Sequence, residues 1–205
     1  MMPVTTDCAG RHVRCFPRLS RCLLAIFLVA ALVSGAAQAQ AADPAVQHME
    51  RVARDLIAAQ RTQSQGAWLN VITRHGDVGG IGLYALGDYR PKLENADKPG
   101  YLSGMVRFIA RYASTEAPKY PVATIKFAQE SRRAQYGLTV DSTVVLQDGS
   151  SYEVAWLLIG GPGSYRVRDV QAAGFWVSPF LKRLFENYIA ENSGNVKALV
   201  TVLNR

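Results

Sequence analysis

The hydrophobic period of this chain changes twice, and that constrains its fold more than any other feature. Between residues 44 and 112 apolar side chains recur at helical spacing. From 122 to 170 they alternate with polar ones, and from 178 they return to helical spacing. Helices, then strands, then helices segregate the elements along the sequence. The expected class is therefore α+β, a small twisted antiparallel sheet packed against amino- and carboxyl-terminal helices, and not a wound α/β sheet.

Individual signals sharpen this. Asp43 is placed to cap a helix with Pro44 at its first position, and Val46, Met49, Ala53, Leu56 and Ile57 predict a helix over 44–62. Glycines at 66, 76, 79, 80, 82 and 87 interrupt the next stretch, which reads as short helices joined by turns. Asp97 and Pro99 open a helix whose stripe is Tyr101, Leu102, Met105, Phe108, Ile109 and Tyr112. After Pro118 and Pro121 the alternation begins, with Val122, Thr124, Lys126 and Ala128 on one face and Ile125, Phe127 and Gln129 on the other. Three further strands are expected at 137–146, 152–158 and 165–170. Turns at Asp148-Gly149 and at 160–163 join them into an antiparallel meander. Tyr152, Val154, Trp156 and Leu158 form one large apolar face. Ser178 is read as the cap of a helix with Pro179 at its first position and Gly194 at its end, and Asn195 as the cap of a last helix.

The amino end reads as an export signal. Arg11, Arg14, Arg18 and Arg21 precede an apolar run from Cys22 to Val33, followed by small residues. The sites Ala37-Gln38-Ala39 and Ala39-Gln40-Ala41 place cleavage after 39 or 41. Residues 1–41 are thus an expected secretory signal and 42–205 a single domain. An uncleaved anchor is the alternative, but the run is short against the ~20 apolar residues a span needs. Cys8, Cys15 and Cys22 all fall inside the signal, so the domain must stand on its core without disulfides. A domain of about 165 residues buries roughly 70% of its unfolded surface, which suffices.

Charge and motif exclude several functions. From Ala42 onward 19 Lys or Arg face 15 Asp or Glu, a balance of +4 against +7 for the whole chain. These charges are dispersed, whereas a nucleic-acid footprint needs a dense stripe. Arg74-His75-Gly76 copies the tripeptide of histidine phosphatases, but the only other histidine after the signal is His48, inside the first helix. A surface or capping role for His75 is the simpler reading. Gly80-x-Gly82 lacks the preceding strand and the spacing of a dinucleotide fingerprint. No spacing of ligands predicts a metal or cofactor site. Asp141, Glu153 and Asp169 read as solvent-side strand positions and Asp148 as a turn residue. What remains is apolar surface, which could close as an ordinary core or line a cavity.

The chain resembles the MlaC family of periplasmic phospholipid-binding proteins, the toluene-tolerance auxiliary components of an ABC transporter. The likeness is carried by Ala85-Leu86-Gly87-Asp88-Tyr89-Arg90, by Phe108-Ile109-Ala110-Arg111-Tyr112, and by 165–170 leading into Gly174-Phe175. It continues in Phe185-Glu186-Asn187-Tyr188-Ile189 and Asn192-Ser193-Gly194. Gly79-Gly80-Ile81-Gly82 is richer in glycine than the family pattern, and Trp176 with Pro179 replaces its serine-rich stretch. A hopanoid-associated branch is the alternative within the family. The resemblance implies a non-enzymatic, monomeric periplasmic carrier. It would hold lipid tails in an apolar cavity between sheet and helices and serve an inner-membrane ABC transporter and an outer-membrane lipoprotein complex. With the face pattern, it puts tails against Leu83, Leu86, Met105, Phe108, Tyr112, Val154, Trp156 and Phe175, and the head group or a partner against Arg90 or Arg111.

Overall fold

The computed structural model describes residues 42–205, so the expected signal, its cleavage sites and the three cysteines lie outside the described residues. Helix α1 spans Pro44–Thr62, with Asp43 Oδ1 accepting from the Ala45 and Val46 amides at 2.7 and 3.4 Å. Oδ2 of the same carboxylate accepts from the Ser131 amide and hydroxyl, both at 2.7 Å, which ties the helix start to the sheet. Near the other end, Gln60 donates to the Ala117 and Tyr120 carbonyls and accepts from the Val122 amide. Two side chains thus fix α1 along the sheet at both ends.

The glycine-rich stretch folds as α2 (Gln65–His75), α3 (Val78–Ala85) and a 3₁₀ turn, Gly87–Lys92. Helix α4 covers Lys98–Glu116. Six strands follow: β1 (Val122–Phe127), β2 (Arg132–Ala134), β3 (Gly137–Leu146), β4 (Ser151–Ile159), β5 (Arg166–Ala172) and β6 (Phe175–Trp176). The order is β1-β3-β4-β5-β6, all antiparallel. β2 pairs with the start of β3, Arg132 opposite Thr139, on the edge whose later half β1 occupies. A bulge between Val122 and Thr124 shifts β1, and its inward residues are Ile125 and Phe127. Gly137 opens β3 at φ +151°, where a Cβ would fall on the Leu158 carbonyl oxygen, so only glycine lets β3 and β4 approach there.

Helices α5 (Val177–Glu191) and α6 (Val196–Leu203) complete the chain. Asn195 caps α6 through the Lys197 amide at 2.9 Å, and Gly194, at φ +73°, turns the chain out of α5. The start of α5 departs from expectation. It begins at Val177 without a local cap, because Asp169 Oδ1 reaches over from β5 to accept the Ser178 amide at 2.9 Å. Pro179 is then the third helical residue, still within the turn whose amides need no intrahelical partner. β2 and β6 were not expected from the sequence, being too short to show alternation.

Two separate cores result. One joins α1 to the sheet through Met49, Val52, Val140, Trp156 and Leu158. The other joins α3, α4, α5 and α6 through Leu86, Tyr101, Met105, Phe185, Ile189 and Leu199. Tyr101 and Phe185, both under 2% exposed, meet edge to face with centroids 6.4 Å apart, and the Tyr101 hydroxyl donates to the Gly82 carbonyl at 2.7 Å. Burying each large apolar side chain contributes about 1.5–3 kcal/mol. The described residues form one compact unit.

Candidate functional site

A seam runs between the two cores, and it holds three apolar spaces with shared walls. The central cavity, about 160 Å³, is bounded by Val52 and Leu56 of α1, Ile72 of α2, Ile109 of α4, Trp156 of β4 and Leu181 of α5. A chamber of about 320 Å³ lies on the sheet side, and Leu56, Trp156 and Val170 border both it and the central cavity. A groove of about 620 Å³ opens between α4 and α5, and Ile109, Val177 and Leu181 border both it and the central cavity. Its rim carries Tyr112, Phe175 and Phe180, exposed to 60, 75 and 54%. Spaces of this size and lining suit an apolar ligand.

The polar groups on these walls are largely engaged. The Trp156 indole donates to Ser142 Oγ at 2.8 Å, which fixes the ring as the partition between cavity and chamber. Asp169 accepts from the Val170 and Ser178 amides at 2.8 and 2.9 Å. Its place on the cavity wall corrects the solvent-side reading: the β4–β5 register shifts between Leu157 and Leu158, and Asp169 turns toward the start of α5. Trp68 Nε1, in the sheet-side chamber, is buried without a partner among the described residues.

His75 is likewise not a surface residue. Its side chain is 13% exposed and lines the central cavity, with Nε2 2.7 Å from Asp55 Oδ2. That hydrogen bond, with the nearby charge of Arg74, holds the Asp55 carboxyl below the usual carboxylate range. The His48 ring meets His75 edge on at 5.9 Å, and His48 Nε2 is buried without a partner among the described residues. Burial, then the charges of His75, Arg51 and Arg166, push the His48 imidazole below its ordinary value. Arg74, which would have to hold phosphate oxygens in a phosphatase, instead pairs with Asp55 at 3.3 Å and borders none of the three spaces.

The residues expected against a ligand divide into three sets. Trp156 lines both the cavity and the chamber and Val154 the chamber alone, while Phe108, Tyr112 and Phe175 line the groove. Leu86 and Met105 do not, at 0 and 1% exposure. They belong to the closed helical core: Leu86 follows directly on α3, and the edge of the α4 stripe that carries Met105 packs on the carboxyl-terminal helices and not toward the sheet. Leu83, Arg90 and Arg111 border none of the three spaces, and both arginines are exposed. The expectation missed Val52 and Leu56, although they sit four apart on the apolar face of α1. It also missed Val167, Val170 and Leu181, which only the tertiary packing brings to the seam.

Among the described residues no helix is long and apolar enough to cross a membrane, and no group of three or more His, Cys, Asp or Glu could hold a metal ion. Comparison with known proteins identifies a family and a similar fold. A family model described as MlaC protein matches residues 41–205. The fold is similar to a solved structure from Ralstonia solanacearum, described as a phospholipid-binding protein in complex with a phospholipid. The TM-score is 0.63 at 18% identity, covering 76% of this chain and 92% of that one. No curated protein sequence matches the chain.

Proposed function

Since the chain belongs to the MlaC family, we propose that it is a non-enzymatic phospholipid carrier whose acyl tails occupy the seam between the two cores. The observation that carries this reading is the run of apolar spaces with shared walls, from the sheet-side chamber through the central cavity to the groove. The Ralstonia relative of similar fold, described with a phospholipid bound, supports the choice of ligand. The physical need is clear. Each buried methylene contributes about 0.8 kcal/mol, so a lipid with about thirty of them does not cross water unaided at a useful rate. A carrier that hides the tails meets that need by burial alone and requires no catalytic group.

The finer reading places the protein in the periplasm, exported by its arginine-led signal. There it takes lipid between an inner-membrane ABC transporter complex and an outer-membrane lipoprotein complex. The exposed aromatic rim at Tyr112, Phe175 and Phe180 is where tails would pass between partner and cavity. Native mass spectrometry of the purified protein, followed by mass identification of the lipid that organic extraction releases, tests the reading. A bound diacyl phospholipid is the expected result. A polycyclic lipid would move the protein to the hopanoid-associated branch, and bare protein after incubation with membranes would refute carriage.

A further inference from the structure

Three elements bring uncovered apolar side chains to the mouth of the groove: Tyr112 from α4, Phe175 from the β5–β6 hairpin, and Val177, Phe180 and Leu184 from α5. All five are exposed, although burying them would be favourable. The backbone holds Phe175 there. Ala173 and Gly174, at φ +51° and +80°, form the two-residue turn that suits twisted strands, and the Gln171 side chain donates to the Gly174 carbonyl at 3.3 Å. Ala172 stands opposite Phe175 in the pairing and is too small to cover the ring. Contiguous apolar surface of this kind marks a contact with a protein or a membrane.

The charges around the patch favour the membrane. The groove is lined by one charged residue, Arg183, and by no carboxylate. Arg111 is exposed on α4, one helical turn from Phe108. Neither arginine forms an ion pair among the described residues. The carboxylates on these two helices are already neutralised: Glu116, one turn beyond Tyr112, by Lys119 at 2.8 Å, and Glu186 by Lys182 at 2.8 Å. Asp141 and Glu153 face the other side of the sheet, because side chains alternate along a strand and Val140 and Val154 point into the core. The mouth thus presents aromatic and aliphatic groups flanked by charge of one sign. That combination seats a protein on an anionic bilayer: the rings enter the interface, and the long arginine stems keep their guanidinium groups among the lipid phosphates.

We propose that the mouth of the groove docks directly on an anionic phospholipid bilayer, with Phe175 and Phe180 inserted and Arg111 and Arg183 at the head groups. The inference goes beyond carriage, since it gives the protein a membrane contact of its own, and docking is measurable whether or not a lipid is loaded.

Purified protein is sedimented with sucrose-filled vesicles of phosphatidylethanolamine and phosphatidylglycerol, or of phosphatidylcholine alone, at low and at high salt. Binding is expected on the anionic vesicles and should weaken as salt screens the arginines. Phe175→Ser and Phe180→Ser should each lower the partition coefficient about tenfold, the low end of what burying one phenylalanine ring contributes. Arg111→Gln and Arg183→Gln should each lower it about fivefold, on the anionic vesicles only. Tyr136→Ser removes a comparably exposed ring between β2 and β3 and should leave vesicle binding unchanged. Wild type that does not sediment, rim variants of wild-type circular dichroism that lose nothing, or an equal loss in Tyr136→Ser would each overturn the proposal. Wild type that stays off vesicles but forms a dimer that Phe175→Ser dissolves in analytical ultracentrifugation would make a second copy the occupant and reject the bilayer. Native mass spectrometry separates this result from the carrier reading. Bare protein that still sediments refutes carriage and keeps docking, whereas loaded protein that does not sediment keeps carriage and refutes docking.

Discussion

Replacing Trp156 with alanine should destabilise the lipid-free protein far more than the loaded one. The ring is 8% exposed and forms the partition between the central cavity and the sheet-side chamber. Truncating a buried tryptophan costs about 3–5 kcal/mol, from lost transfer energy and the void left behind. The Ser142 hydroxyl keeps its own bond to the Val154 carbonyl at 3.3 Å, so losing the indole donor adds only about 1 kcal/mol. Without ligand the void persists. In the loaded protein a flexible acyl chain can fill it, and roughly four methylenes at about 0.8 kcal/mol each would offset about 3 kcal/mol. Urea unfolding of delipidated and phospholipid-loaded protein, at fixed excess of lipid, measures both losses. The expected deficits are about 4–6 kcal/mol without lipid and about 1–3 kcal/mol with it. Equal deficits would mean that no tail reaches Trp156, and the placement of the ligand in the seam would fall.

Two further outcomes follow from the same geometry. Ile109 borders both the central cavity and the groove, so Ile109→Trp should obstruct the passage between them at a folding cost of about 1–3 kcal/mol; lipid phosphorus per protein should drop, and full loading would contradict the route. His48 should make stability depend on pH. Its folded value is depressed, so the unfolded chain binds the proton first; the contribution is fully present above about pH 6.5 and is lost as pH falls through the folded value. Denaturation midpoints between pH 7 and 5 should therefore decline more steeply for wild type than for His48→Gln, and parallel curves would dismiss the effect.

Much of the architecture was legible because local chemistry and tertiary packing agree. Asp43, Pro44 and the apolar face of α1 specify that helix within the residues expected, and Asn195 caps α6 as read. The β3–β4 and β4–β5 pairings follow from alternation and from two glycine-bearing turns. What failed did so where a residue's partner is distant in sequence. Asp169 looked like a solvated strand residue because its acceptor role is defined by the Ser178 amide, nine positions on and in another element. His75 looked exposed because Asp55, twenty positions earlier, is what holds it inside. The α4 stripe is a single face on a helical wheel, yet Met105 packs into the helical core while Ile109, one turn later, faces the cavity. A helical wheel gives the angular position of each residue, but not which neighbour covers it.

The same distinction explains why the composition left a closed core and a cavity equally open. Apolar contacts are non-directional and would draw the two cores together wherever they could. Hydrogen bonds hold donor and acceptor at a set separation. Along the seam the two cores are joined by such bonds: the Asp77 amide to the Val167 carbonyl and the Asp77 carboxylate to Arg168, Asp169 to the Ser178 amide, and Gln60 to the Ala117 carbonyl after α4. Between these fixed points Leu56, Ile109, Val170 and Leu181 face one another across space that no side chain fills. The spacing of the two cores is thus held by a few polar clamps, while the apolar walls determine what enters. A residue count cannot register that arrangement, because the side chains that would pack a core and those that line a cavity are the same.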